Sequence, residues 1–342
     1  MIVVNDGNVR SVVKSEIERL GNEANLNHID VSQVTDMKYV FKSTRFNGDI
    51  SNWNVSSVEF MQEMFADSNF NRDISKWDVG NVKDMSWMFS ISKFNQDISN
   101  WDVGNVKDMS YMFKNSLFNQ DISNWDVSNV ENMNFMFSFS KFNRDISNWD
   151  VSNVRNMRFM FQNSPFNQDI SSWDVGNVVN MRGMFYESQF NQDISNWDVG
   201  NVVDMSSMFS KSPFNGDISN WNVGNVENMS WMFYYSPFNQ DISKWDVGNV
   251  KEMRYMFNIS QFNQDISNWD VSNIVVMKAV FYKSPFNGDI SKWNINLKKL
   301  KEKPDDFNNN NKFIKSLFKA YENNNKNDID NLSRKIYINH IR

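Results

Sequence analysis

A phenylalanine returns every 24 residues along this chain, at Phe46, Phe70, Phe94, Phe118, Phe142, Phe166, Phe190, Phe214, Phe238, Phe262 and Phe286. Most of the letters between return with it. Residues 94–117 read FNQDISNWDVGNVKDMSYMFKNSL, and the next 24 read FNQDISNWDVSNVENMNFMFSFSK. A fixed period of this length means a repeat architecture, because one short unit cannot bury its apolar face until a neighbour covers it. Four segments follow: an N-terminal helical cap (1–27), a half repeat (28–45) with Asp30, Val31, Met37 and Phe41 already in phase, ten full repeats plus the start of an eleventh (46–295), and a basic helical cap or tail (296–342).

With the phenylalanine as position 1, apolar residues stand at 1, 5 (Ile), 8 (Trp), 10 (Val), 13 (Val), 16 (Met), 19 (Met) and 20 (Phe). The spacing I-x-x-W-x-V matches L-x-x-L-x-L, so a short parallel β-strand through Trp and Val is expected. From 13 onward the spacing i, i+3, i+6, i+7 predicts a helical or 3-10 segment of about two turns. The fold expected is a leucine-rich-repeat-like solenoid. Its core would include Trp101, Trp125, Trp149, Trp173 and Trp197 together with Met133, Met136 and Phe137. Asn at position 2, Asp at 4 and Ser at 6 and 23 read as groups that satisfy backbone donors and acceptors at bends.

Ends of such a stack need covering. Residues 8–21, NVRSVVKSEIERLG, predict an amphipathic helix closed by Gly21. KFIKSLFKAYE (312–322) and DIDNLSRKIYINHI (328–341) predict two basic amphipathic helices. A core-covering cap is their expected role, and docking to an acidic partner or homodimer formation through this end is the alternative.

The motif FNQDISNWDVSNVxNMxxMF resembles the BspA-like leucine-rich-repeat family, found in mycoplasma-type and bacterial surface proteins and in large DNA viruses. The likeness covers residues 28–295. It implies a right-handed solenoid and protein binding or adhesion. The start MIVVNDGNVR lacks a secretory-signal pattern and there is no lipobox-type cysteine, so an intracellular or virion-associated location is expected.

Charge narrows the partners. Net charge is −6, yet residues 296–342 carry eleven Lys/Arg against six Asp/Glu and residues 1–45 carry six of each, which leaves −11 on the repeats. A surface of that sign disfavours nucleic-acid phosphates. No run of about 18 apolar residues exists to enter a membrane. With no cysteine and two histidines, His28 and His340, and with no glycine-rich phosphate loop, neither a catalytic set nor a metal or other cofactor is expected.

Function should lie on outward rows. The first is position 9, with Asp102, Asp126, Asp150, Asp174 and Asp198 in line. It reads either as an acidic strip for a basic protein partner or as turn-forming side chains. The second is position 18, with Trp87, Tyr111, Phe135 and Phe159 consecutive and Trp231 and Tyr255 further on. Glu63, Gly183 and Ser207 share that position, so it is expected to face outward, as an interface or as satellite packing. The function expected is a non-enzymatic protein-binding surface, with a self-associating structural component as the alternative.

Overall fold

The computed structural model describes residues 1–290, 292–296 and 299–301. Two compact units are present, Met1–Asn177 and Val178–Arg342. At the amino terminus, β1 (Ile2–Val3) pairs in parallel with β2 (Ile29–Asp30), and α1 (Val9–Leu20) lies between them in sequence. α1 ends at Gly21, whose φ of 94° suits glycine. It buries Val9, Val13 and Glu16. The two C-terminal helices expected at 312–322 and 328–341 lie outside the described residues.

Within each unit one rule links successive repeats. Backbone N–H groups at positions 16, 18, 20 and 22 donate to carbonyls at 15, 17, 19 and 21 of the following repeat. In the first unit Met109, Tyr111, Phe113 and Asn115 donate to Asn132, Asn134, Met136 and Ser138 at 2.8–3.0 Å. In the second, Met205, Ser207, Phe209 and Lys211 donate to Asn228, Ser230, Met232 and Tyr234 at 2.7–3.0 Å. Parallel bridges join position 15 of neighbouring repeats, as in Asp84↔Asp108 and Asp204↔Asn228.

This ladder overturns the expected placement of both elements. The segment predicted as helical is a chain of tight turns that carries the inter-repeat bonds. The segment predicted as a strand, through Trp and Val, carries none of the ladder. Met64 N–H bonds Met61 O with Glu63 at φ 54°, the geometry of a type II turn, and the pattern recurs in the repeats on either side. A lone helix of two turns would leave most of its terminal N–H and C=O groups unmet. Turns laid beside identical turns give those groups partners. Met at 16 and 19 and Phe at 20 point inward either way, so the apolar spacing did not discriminate.

On the other side the indole does the work of a strand. Trp149 Nε1 donates to Ile122 O of the preceding repeat at 3.0 Å, and Trp101, Trp125 and Trp173 do the same to Ile74, Ile98 and Ile146. Trp101, Trp125, Trp149, Trp173 and Trp197 are each 3% exposed, and Met133, Met136 and Phe137 are fully buried. Phenylalanines form two columns. Phe113 and Phe137 stack at 5.7 Å, Phe118 and Phe142 at 6.4 Å, and Phe137 meets Phe142 at 4.1 Å across the columns.

The first repeat's open edge is capped by side chains. Asp6 accepts from Thr35 N–H (2.7 Å), Thr35 Oγ1 (2.8 Å) and Asp36 N–H (3.0 Å), standing in for an absent preceding turn. Arg10 Nε donates to Lys38 O at 2.5 Å.

Candidate functional site

Position 18 is the third residue of a type II turn, so its backbone is left-handed whatever the side chain. Trp87, Tyr111, Phe135 and Phe159 have φ of 60°, 59°, 56° and 54°. Non-glycine residues rarely adopt this region, and the recurrent turn imposes it. The turn sets the four rings outward and in register. Trp87 and Tyr111 stack at 3.9 Å, Tyr111 and Phe135 at 4.6 Å, and Phe135 and Phe159 at 4.9 Å. All four are half-buried. Burial pushes the Tyr111 hydroxyl above its ordinary pKa. In the second unit Trp231 and Tyr255 stack at 4.1 Å, with Tyr234 edge-on to Trp231 at 5.1 Å.

Two cations lie over the first stack, which apolar spacing did not signal. Lys114 Nζ sits 5.5, 5.2 and 5.3 Å from the Trp87, Tyr111 and Phe135 ring centres. Arg158 lies 5.6 Å from Phe135 and 5.3 Å from Phe159. Beside the stack, Ile91 (51% exposed), Leu117 (51%) and Phe139 (44%) stand in water. These three, with the half-buried rings, are the large apolar side chains that positions 18–24 of these repeats leave open to water.

The acidic row is exposed, but its carboxylates have a local task. Asp102, Asp126, Asp150 and Asp174 Oδ1 accept the N–H two residues on, from Gly104, Ser128, Ser152 and Gly176, each at 3.0 Å, and Asp198 accepts from Gly200 at 2.9 Å. The Ser128 hydroxyl and N–H hold Asp126 below the usual carboxylate range. These are Asx turns, which give each of these carboxylates a structural task.

The other recurrent polar letters serve the backbone too. Asn119 Oδ1 accepts Asn143 N–H (3.0 Å) along a column of position-2 asparagines. Asn129 Nδ2 donates to Gly104 O (2.7 Å). Asp121 at position 4 takes Ser123 N–H at 2.9 Å, and that N–H followed by the Ser123 hydroxyl lowers its pKa, as Ser75 and Ser171 do for Asp73 and Asp169. Among the described residues no group of three His, Cys, Asp or Glu is gathered as metal ligands would be.

Charge is sorted between the two sides of a repeat. In the four repeats from Phe70 to Pro165, positions 14–24 hold seven Lys/Arg and three Asp/Glu, a net +4. Positions 1–13 of the same repeats hold three Lys/Arg and eight Asp/Glu, a net −5. The aromatic stack therefore lies on a basic wall of a chain that is acidic overall. Lys83 and Lys107 pair with Glu59 (2.7 Å) and Glu131 (3.6 Å).

A concave feature opens between α1 and the half repeat. Arg10, Lys14, Ile17, Tyr39, Lys42 and Arg45 are among the residues around a cleft of about 500 Å³. Arg10 and Lys42 each lie 5.2 Å from the Tyr39 ring centre. On α1, Glu16 accepts from Arg19 Nη2 (2.5 Å) and pairs with His28 Nε2 (2.7 Å). Arg19 foremost, then His28, holds the Glu16 carboxyl down to about 2. No helix among the described residues is long and apolar enough to cross a membrane.

The sequence model of the family described as "Mycoplasma protein of unknown function, DUF285" matches five overlapping stretches, residues 10–117, 90–189, 114–213, 162–258 and 212–321. No curated protein and no solved structure matches the chain significantly.

Proposed function

The chain belongs to the mycoplasma repeat family DUF285, and from that premise we propose that it is a non-enzymatic solenoid of the leucine-rich-repeat, BspA-like kind that presents a protein-binding surface. The observation that carries this reading is the continuous stack Trp87–Tyr111–Phe135–Phe159, half-exposed and flanked by open Ile91, Leu117 and Phe139. Aromatic side chains supply large contact area with little rotamer freedom to lose, which suits an interface. The acidic row is the weaker candidate in this reading, because one oxygen of each carboxylate is engaged in a turn. The same engagement argues against catalysis: regular, solvated carboxylates in equivalent surroundings do not divide into an acid and a base.

The test is photo-crosslinking in host extract, with p-benzoylphenylalanine placed at Phe139 and, as a control, at Asn124 on the acidic edge. A discrete protein adduct from Phe139 and none from Asn124 is the result expected. Equal labelling from both positions, or none from either, sinks the reading.

The alternative, a structural component that self-associates, draws on the opposite charges of the two edges. Sedimentation across concentration and salt would reveal it as a reversible, salt-sensitive assembly.

A further inference from the structure

We propose that the occupant of the aromatic wall is an acidic protein segment that interleaves carboxylates with apolar side chains; this deepens the protein-binding reading and rests on it. Three observations converge. The wall is net positive while the repeats as a whole are strongly negative, so its charge runs against the chain's own bias. Lys93, Lys141 and Arg155 on this wall are exposed, and no ion pair among the described residues engages them. Between and beside these cations stand Ile91, Leu117 and Phe139, each at least 44% exposed. Cations alone would suit any polyanion, and an apolar row alone would suit any hydrophobic segment. The two together select a partner that offers both, with charge setting encounter and register and apolar contact setting residence.

Two other occupants fit less well. Single-stranded nucleic acid binds by stacking bases on free aromatic faces. Here Tyr111 is sandwiched between Trp87 and Phe135, Phe135 lies between Tyr111 and Phe159, and Lys114 and Arg158 lie over the rings. A second copy would offer its acidic edge, but the outward letters there are polar or charged, Arg72, Lys76 and Arg144 among them, with nothing apolar to meet Phe139.

The experiment uses the full chain and fluorescence anisotropy of a short labelled peptide of alternating Glu and Leu. Controls are a Lys/Leu peptide, a Glu/Ser peptide and oligo(dT). Saturable binding of the Glu/Leu peptide, weakened by salt, is expected. The triple variant Lys93→Glu, Lys141→Glu, Arg155→Glu should raise Kd about tenfold or more, since each exposed pair contributes modestly and three attractions become repulsions. Its sites are exposed, and circular dichroism checks that it folds. Phe139→Ser should weaken binding as well, and Asn124→Lys, an exposed position of the acidic edge, should not. The proposal is overturned if the Lys/Leu or Glu/Ser peptide binds equally well, if oligo(dT) binds as tightly, if charge reversal abolishes a self-association instead, or if no Glu/Leu binding occurs. A crosslinked partner at Phe139 that ignores the triple reversal would leave the protein-binding reading standing and remove the acidic one.

Discussion

The indole N–H of Trp149 reaches the carbonyl oxygen of Ile122, 27 residues earlier, at 3.0 Å. That carbonyl already accepts Trp125 N–H at 3.1 Å, closing a turn. One side chain thus fills the core and joins two repeats. The two tasks can be separated. Trp149→Ala should cost ~3–5 kcal/mol, from lost area and a cavity. Trp149→Phe keeps much of the area and drops the bond, and should cost ~1–2 kcal/mol more than its volume change alone. Urea denaturation of both variants measures the difference. A Trp149→Phe loss no larger than its volume change predicts would show that the indole bond contributes nothing.

How much of this was legible in the letters depended on whether a residue's task lay inside one repeat or between repeats. Trp149, Met136 and Phe137 could be placed inward because periodic apolar letters have one good use. The outward turn of position 18 could be read from Glu63, Gly183 and Ser207 sharing it with aromatics. The location of the ladder could not, since Met133, Met136 and Phe137 face the core equally well from a helix or from stacked turns. Lys114 over three rings was hidden for a related reason. Its reach depends on left-handed residues at 111 and 115, and no apolar pattern encodes those.

Gly48 occupies position 3, where the next repeats carry Arg72, Gln96 and Gln120. A Cβ there would lie 1.9 Å from the backbone oxygen of Ala24, which accepts Asp49 N–H at 3.0 Å. Backbone cannot yield as a side-chain tip can. Gly48→Ala should therefore cost ~1–3 kcal/mol or more and loosen residues 22–26. Hydrogen exchange of Leu26 and Asp49 amides would report it. Gly216→Gln is the contrast, because its Cβ meets the tip of Phe214 and both neighbouring repeats carry Gln there, so little change is expected. Unchanged protection in Gly48→Ala would contradict the close approach.

Acid should loosen the amino-terminal cap before neutral conditions show any weakness. Arg19, then His28, draws the Glu16 carboxyl from 4.5 to about 2. A depressed folded pKa means that its contribution is fully present above the unfolded value and fades as pH falls from about 4.5 toward 2. Protection of α1 amides should fall across that window in the parent and be flatter in Glu16→Gln. Position-4 carboxylates such as Asp73, Asp121 and Asp169, lowered by the serine N–H two residues on, act in the same direction along the repeats. Identical pH profiles for parent and Glu16→Gln would refute the assignment.

Ile91 is β-branched, 51% exposed and left-handed at φ 57°. Its equivalents in the next repeats include Asn115 and Asn163, at φ 52° and 49°. Asparagine tolerates this region, and a branched side chain there costs ~1–2 kcal/mol. Ile91→Asn should raise stability by ~0.5–1.5 kcal/mol, read as a shift in the urea midpoint. A loss would mean that Ile91 packs on its neighbours strongly enough to offset the strain.

Phe135 tests whether the aromatic wall is core or contact surface. Its ring lies 4.6 Å from Tyr111 and 4.9 Å from Phe159, with Lys114 and Arg158 over it, yet it is half-open to water. Aromatic pairs add ~0.5–1.5 kcal/mol beyond area, and half-burial halves the area gain. Backbone strain cancels in Phe135→Ser, since any residue there is held left-handed by the same turn. The loss expected is ~1–2.5 kcal/mol, clearly below that of Trp149→Ala. Losses as large as those of Trp149→Ala would make the stack an outlying part of the core. No loss at all would mean that the rings contribute nothing to folding, and their register would then need a partner to explain it.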